Sequence, residues 1–197
     1  MSKVAVRYTK AERRLTLERG QARFDVAHEA SRPFSVTARD RQIIATGTAF
    51  NVDMLAPEVR VTLIEGRVIV LQQSQGPLRP AASGSKAVAL RAGQSLVANE
   101  DGGATKVATA DLAQATAWQQ GQLVFNDEPL AQAVERINRY TSQNIAVADD
   151  TVGAITVSGT FNAGDVDAFV ESVNNFLPVH AVTGPDGLIL ELDQTSG

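Results

Sequence analysis

The sequence predicts a multi-domain chain of β plus α/β class: an all-β sandwich or solenoid-like domain over residues 1–110, a short helical linker over 111–117, and a small β-α-β-β-α-β-β module over 118–193. Two observations carry that reading. Apolar residues alternate with a period of two as far as about Ala108, the spacing of a strand with one buried face. From Asp111 they recur at intervals of three and four, the spacing of a helix stripe. The charge changes sign at nearly the same place. Residues through Ala117 hold 16 Lys and Arg against 11 Asp and Glu, and residues from Trp118 hold 2 against 11, for balances of +5 and −9.

In the first region the alternating sets are Val4, Val6 and Tyr8; Ala22, Phe24 and Val26; Phe34, Val36 and Ala38; Val59, Val61 and Leu63; and Val68 and Val70, each read as a strand with its apolar set inward. Turn formers separate them at Gly47, Pro57, Glu65-Gly66, Ser74 to Ser85, and Asn99 to Gly103. Four segments share an apolar residue, two variable residues, a glycine, a polar residue and then a strand: Leu17 to Phe24, Leu63 to Val70, Leu90 to Val97, and Trp118 to Phe125. Gly20, Gly66, Gly93 and Gly121 are expected to supply the positive φ that turns one strand into the next. Their spacings of 46, 27 and 28 do not make a strict repeat array.

The second region opens with a helical linker carrying Leu112, Ala113, Ala115 and Ala117. Leu123 to Phe125 reads as a strand, and Pro129 as the first residue of a helix behind Asp127 and Glu128, with Leu130, Val134, Ile137 and Thr141 on its apolar face. Asn144 opens a strand from Ile145 to Ala148, and Ile155 to Phe161 is another. Gly164-Asp165-Val166-Asp167 caps a helix whose inward face is Val166, Phe169, Val170, Val173 and Phe176, and Pro178 ends it. A hairpin closes the chain, Val179 to Thr183 and Leu188 to Leu192 around Gly184-Pro185-Asp186-Gly187.

Composition narrows the chemistry. A chain of 197 residues that is 44% hydrophobic can bury a core, and with no cysteine it has no disulfide, thiolate ligand or thiol nucleophile. Its apolar runs fall far short of the about 20 residues that a bilayer-spanning helix needs. The −9 balance would repel phosphate backbones, so nucleic acid is not an expected partner. His28 and His180 are the only histidines, and no nucleophile elbow, zinc-binding His pair or phosphate-cradling loop is present. The carboxylate pairs Asp149-Asp150 and Asp165-x-Asp167 read as turn and helix-start residues rather than calcium or acid/base groups. Trp118 and Tyr140 read as core or junction residues. No catalytic, metal-binding or cofactor-binding residue is expected, and the chain reads as a binding protein rather than an enzyme.

Arg32-Pro33-Phe34-Ser35-Val36, then Gly47-Thr48-Ala49-Phe50-Asn51-Val52, Leu63-Ile64-Glu65-Gly66-Arg67-Val68 and Leu90-Arg91-Ala92-Gly93-Gln94 together resemble the periplasmic region of FecR-family transmembrane anti-sigma regulators. The Gly-Thr-Ala-Phe-Asn-Val string is the specific part. Trp118 to Phe125, Pro129-Leu130 and Arg139-Tyr140 resemble that family's later segment, and Leu123 to Leu192 resembles the STN module found at the N-terminus of secretins and TonB-dependent receptors. The chain begins abruptly relative to that family, and Met1 and Ser2 read as additions. The resemblance implies a periplasmic part of a single-pass inner-membrane protein. Its membrane anchor and sigma-factor-binding segment would lie outside this chain. The implied role is cell-surface signalling: binding the periplasmic N-terminal signalling domain of a TonB-dependent outer-membrane transducer, and relaying a siderophore or iron signal toward an extracytoplasmic-function sigma factor.

The expected partner surface is the exposed edge of the closing hairpin: Leu188, Ile189, Leu190, Glu191, Leu192 and Asp193, with Ile145 and Val147 as second choice. An unpaired edge offers backbone groups to a partner's strand, and Asp186, Glu191 and Asp193 would steer a basic surface toward it. The competing reading is a carbohydrate-binding or structural cell-envelope β-protein, which calls for a row of exposed aromatics. Aromatics are 5% of the residues here.

Overall fold

In a computed structural model, residues 2–29, 31–72, 87–99 and 105–193 are described. The chain is β-rich and divides into two compact units, Met1–Leu112 and Ala113–Gly197. The expected turn from Ser74 to Ser85, and most of the one from Asn99 to Gly103, lie outside the described residues.

The first unit is a sandwich built from β1 (Lys3–Tyr8), β2 (Arg13–Arg19), β3 (Gln21–Val26), β4 (Phe34–Ala38), β5 (Arg41–Ala45), β6 (Thr48–Leu55), β7 (Glu58–Glu65), β8 (Arg67–Gln72), β9 (Ala87–Arg91), β10 (Gln94–Asn99) and β11 (Thr105–Thr109). One sheet has the order β1-β2-β4-β5-β8-β9 and the other β11-β10-β7-β6-β3. Neighbours are antiparallel except β2 and β4. The chain lays down strands in one sheet, crosses to the other and returns, so the alternating residues of both sheets meet in a single core that includes Leu17, Phe24, Val36, Ile43, Phe50, Val61, Leu63, Val68, Leu90 and Leu96. This settles the sandwich over the solenoid.

The glycine pattern acquires a specific meaning. Gly20, Gly66 and Gly93 sit at the corners β2–β3, β7–β8 and β9–β10, where the chain passes between the sheets rather than around a hairpin. The leucine three residues earlier, Leu17, Leu63 or Leu90, is buried at 1%, 0% and 0% exposure and anchors each corner to the core. Gly66 has φ +86°, and an added Cβ would meet the Gly47 carbonyl oxygen and the Thr48 Cγ2, each at 2.8 Å. Only glycine fits there without a backbone shift.

The second unit contains a short helix α1 (Leu112–Thr116), a 3-10 turn (Ala117–Gln120), β12 (Gln122–Pro129), α2 (Leu130–Ile137), β13 (Ile145–Val147), α3 (Asp150–Ala154), β14 (Thr156–Asn162), α4 (Val166–Phe176), β15 (Val179–Gly184) and β16 (Gly187–Leu192). β12 and β14 form a two-stranded sheet, and a separate three-stranded sheet has the order β13-β16-β15. Leu123, Phe125, Leu130, Ile137, Val157, Phe169 and Leu190 share its core. Gly121, the fourth glycine of the pattern, closes the 3-10 turn in the left-handed region, its N–H bonded to the Trp118 carbonyl.

Local differences from expectation have physical causes. β12 runs on through Asp127 and Glu128 to Pro129, which pairs with Thr156, so α2 begins at Leu130. Asp149 caps α3, a helix the sequence reading missed: its Oδ1 accepts from the Val152 N–H at 2.9 Å. Phe176 is not on the inward face: it is 83% exposed, because α4 stops there and Leu177 leaves in extended conformation to pack on the core instead.

Candidate functional site

β16 holds the residues expected to form the open edge, and it is the middle strand of its sheet. Its Leu188, Ile189 and Leu190 pair with Ile145, Ala146 and Val147 in parallel on one side. On the other side, residues from Gly187 to Leu192 pair with Gly184 back to Val179. The backbone of Ile189 is therefore spent on neighbouring strands and is not free for a partner. The hairpin reading was correct, but the parallel addition of β13 outside β16 came from a segment more than 40 residues earlier in the chain and left no local mark in the sequence.

The second choice, β13, is an edge strand whose backbone is closed by a side chain. Asn138 at the end of α2 donates from Nδ2 to the Ile145 carbonyl at 2.7 Å and accepts the Ile145 N–H on Oδ1 at 3.0 Å. A single amide thus takes both outward groups of Ile145, as a neighbouring strand would. Val147 remains, on a strand of three residues.

β15 is the edge that stays open. The Leu188 N–H bonds the Asn144 carbonyl and the Leu190 carbonyl accepts from Ala148, so the backbone groups of these two residues point toward β13. In an antiparallel pair, residues opposite such positions point their own groups the other way. Val179, opposite Leu192, is fully buried, but Thr183 and Ala181, opposite Leu188 and Leu190, present N–H and C=O on the free side of β15. No hydrogen bond among the described residues takes them.

The surroundings of β15 are acidic and partly apolar. Glu191 lies opposite His180 across the hairpin, Asp186 sits in its turn, and the Asp193 Oδ1 is 3.1 Å from the His180 Nδ1. Phe176, just before β15, and Leu192, 41% exposed, add apolar surface at its start. β14 also ends a sheet, but Thr156 to Asn162 carries no charged residue, so it offers backbone without steering. Both arginines of the unit are committed elsewhere. The Arg136 Nη1 lies 2.8 Å from the Glu128 Oε2 in a pair that is 4% and 3% exposed, and the Arg139 Nη2 lies 3.3 Å from the Glu135 Oε1. The edge therefore stands in a field of carboxylates.

Other candidates for chemistry resolve into structure. The His28 Nδ1 lies 3.3 Å from the Thr46 carbonyl, far in sequence from His180 and in the other unit. Asp165 caps α4 through the Ala168 N–H at 3.2 Å. Among the described residues, no three His, Asp or Glu side chains converge in a way that could hold a metal ion, and no helix is long and apolar enough to cross a membrane.

Residues 1–69 match the family model described as FecR protein. No curated protein matches the chain. Two crystal structures of a protein from Parabacteroides distasonis, provisionally described as an anti-sigma factor, are similar to it. One has a TM-score of 0.80 at 21% identity, covering 99% of this chain and 88% of that one. The other has a TM-score of 0.79 at 21% identity, covering 96% and 84%. At that identity the likeness is one of fold.

Proposed function

We propose that this chain is the periplasmic signalling part of a FecR-family anti-sigma regulator, and that its C-terminal unit, read as an STN-like module, binds the N-terminal signalling domain of a TonB-dependent outer-membrane transducer by strand addition at β15. The family match over residues 1–69 supports an anti-sigma regulatory role. The observation that carries the docking mode is the β15 edge, with the outward backbone of Ala181 and Thr183 open beside Asp186, Glu191 and Asp193. A partner strand would pair with those groups, and a basic surface on the partner would be drawn in by the carboxylates. The siderophore or iron signal would then pass to the sigma factor through segments outside this chain.

The test is calorimetric titration with the isolated signalling domains of the host's TonB-dependent transducers, using the wild-type chain and Ala181→Pro. Proline at 181 deletes an N–H that points away from β16, so the hairpin ladder survives while the edge loses one of its two open donors. Wild-type binding to one transducer domain is expected, weakened at least about tenfold by the proline at an unchanged melting temperature. Equal affinity for the two proteins would place the site elsewhere.

A further inference from the structure

β14 ends its sheet with an edge that nothing closes. Ala163 donates its N–H to the Gly121 carbonyl at one end of the strand, and the Ile155 carbonyl accepts from Leu130 at the other, so the odd-numbered residues turn their backbone groups toward β12. Backbone groups alternate in direction along a strand, so those of Thr156, Ser158, Thr160 and Asn162 point away from it. The Asn162 carbonyl is taken by the Asp165 N–H at 3.1 Å, and no other of these groups has a hydrogen-bond partner among the described residues. The alternation is unbroken because the bulge lies in β12: Asn126 and Asp127 together face Ser158, and β14 itself stays regular.

Open edges are ordinarily blunted by charge, proline, a bulge or a covering side chain. β13 and β15, the outer strands of the unit's other sheet, are protected in this way: Asn138 closes β13 at Ile145, and carboxylates stand around β15. β14, from Thr156 to Asn162, has no charge and no proline, and the four residues whose backbone faces outward are exposed. Their order is self-complementary. An antiparallel copy centred on Gly159 sets Thr156 opposite Asn162, Val157 opposite Phe161 and Ser158 opposite Thr160, so each residue with outward groups meets another such residue. Exposed polar side chains then meet polar ones, and the buried Val157 meets the partly buried Phe161. At the centre, where a pair without hydrogen bonds brings Cα atoms to about 4.5 Å, both residues are glycine. The Phe161 ring already fills the space on the core side of Gly159, 3.0 Å from where a Cβ would stand.

We propose that β14 is a self-association edge: two copies of this chain pair their β14 strands antiparallel about a two-fold axis at Gly159, which joins their two-stranded sheets into one. Charge favours a second copy here over the basic partner expected at β15. Residues from Trp118 carry a balance of −9, so two such units repel each other, and a strand without charge is where they can approach at least cost. No charged residue of one β14 stands opposite a charged residue of the other. β15 lies in the other sheet of the unit, so the pairing is independent of binding there.

Sedimentation equilibrium of the full chain from roughly 10 µM to 1 mM tests this, with amide exchange measured at both ends of the range. One paired strand is a small interface, so a reversible monomer–dimer equilibrium within that range is expected, and the Ser158 and Thr160 amides should slow as concentration rises. Thr160→Pro deletes an N–H that points away from β12. Thr160→Glu, at the same exposed position, sets a carboxylate opposite Ser158 of the other copy, beside that copy's Asp127. Each variant should raise the dimer dissociation constant at least about tenfold at an unchanged melting temperature, and the glutamate should do so more at low salt than at high. Three results would each overturn the proposal: a monomer throughout the range, a dimer that Thr160→Glu leaves as tight as the wild type, or concentration-dependent protection that falls outside β14.

Discussion

Glu128 and Arg136 join β12 to α2 through a buried ion pair, and Arg136 also lies with its guanidinium carbon 5.2 Å from the centroid of the Phe125 ring. The pair follows the irregular register between Phe125 and Glu128, where Asp127 has φ +47° and is held by Ser158. Removing one partner strands the other charge in the core, whereas removing both with apolar residues of similar size does not. Glu128→Ala is therefore expected to destabilise the second unit by about 3–5 kcal/mol in denaturant unfolding, and Glu128→Leu combined with Arg136→Met to recover most of that loss. A loss below about 1 kcal/mol for the single variant would mean that water reaches the pair. The same residue scale explains a misreading: in sequence Asp127 and Glu128 look like the residues leading into a helix that starts at Pro129, and only the pairing of Pro129 with Thr156 makes all three strand residues.

At the scale of elements, the corners and edges decide what the fold can offer. Gly66 and Gly93 share a left-handed φ, +86° and +81°, but an added Cβ at Gly93 meets nothing within 4 Å, whereas at Gly66 it meets the neighbouring corner. Gly93→Ala should cost only the conformational strain, about 1–2 kcal/mol. Gly66→Ala should cost at least about 1 kcal/mol more because the backbone has to move, and thermal unfolding that ranks the two equally would contradict the corner model. Much of this level was legible. Alternation located β3, β4, β7 and β8, the spacing of Leu130, Val134 and Ile137 located α2, and the Leu-x-x-Gly pattern located three corners before their function as sheet crossings was evident. Strand order was not legible, because the pairing of β13 with β16 is a long-range fact. The stripe Val4, Val6 and Tyr8 has the alternation of a covered strand, yet all three are exposed on the edge strand β1.

For the whole molecule, the two units have separate cores and opposite charge balances, which suits them to different contacts. The candidate partner site moved between sequence and structure for one reason: the closing hairpin was recognised, but which of its two strands lies outermost depended on a third strand. β16 is enclosed, β13 is closed by Asn138, and β15 is left. The central claim is that a transducer's signalling domain adds a strand to β15. Hydrogen–deuterium exchange of the chain with and without that domain tests it most directly, since an amide that gains a strand partner stops exchanging readily. The account predicts new protection at the Ala181 and Thr183 amides, with the Leu188 and Leu190 amides already slow in the free chain. Protection confined to β14 or to the first unit, with the β15 amides exchanging as before, would contradict it.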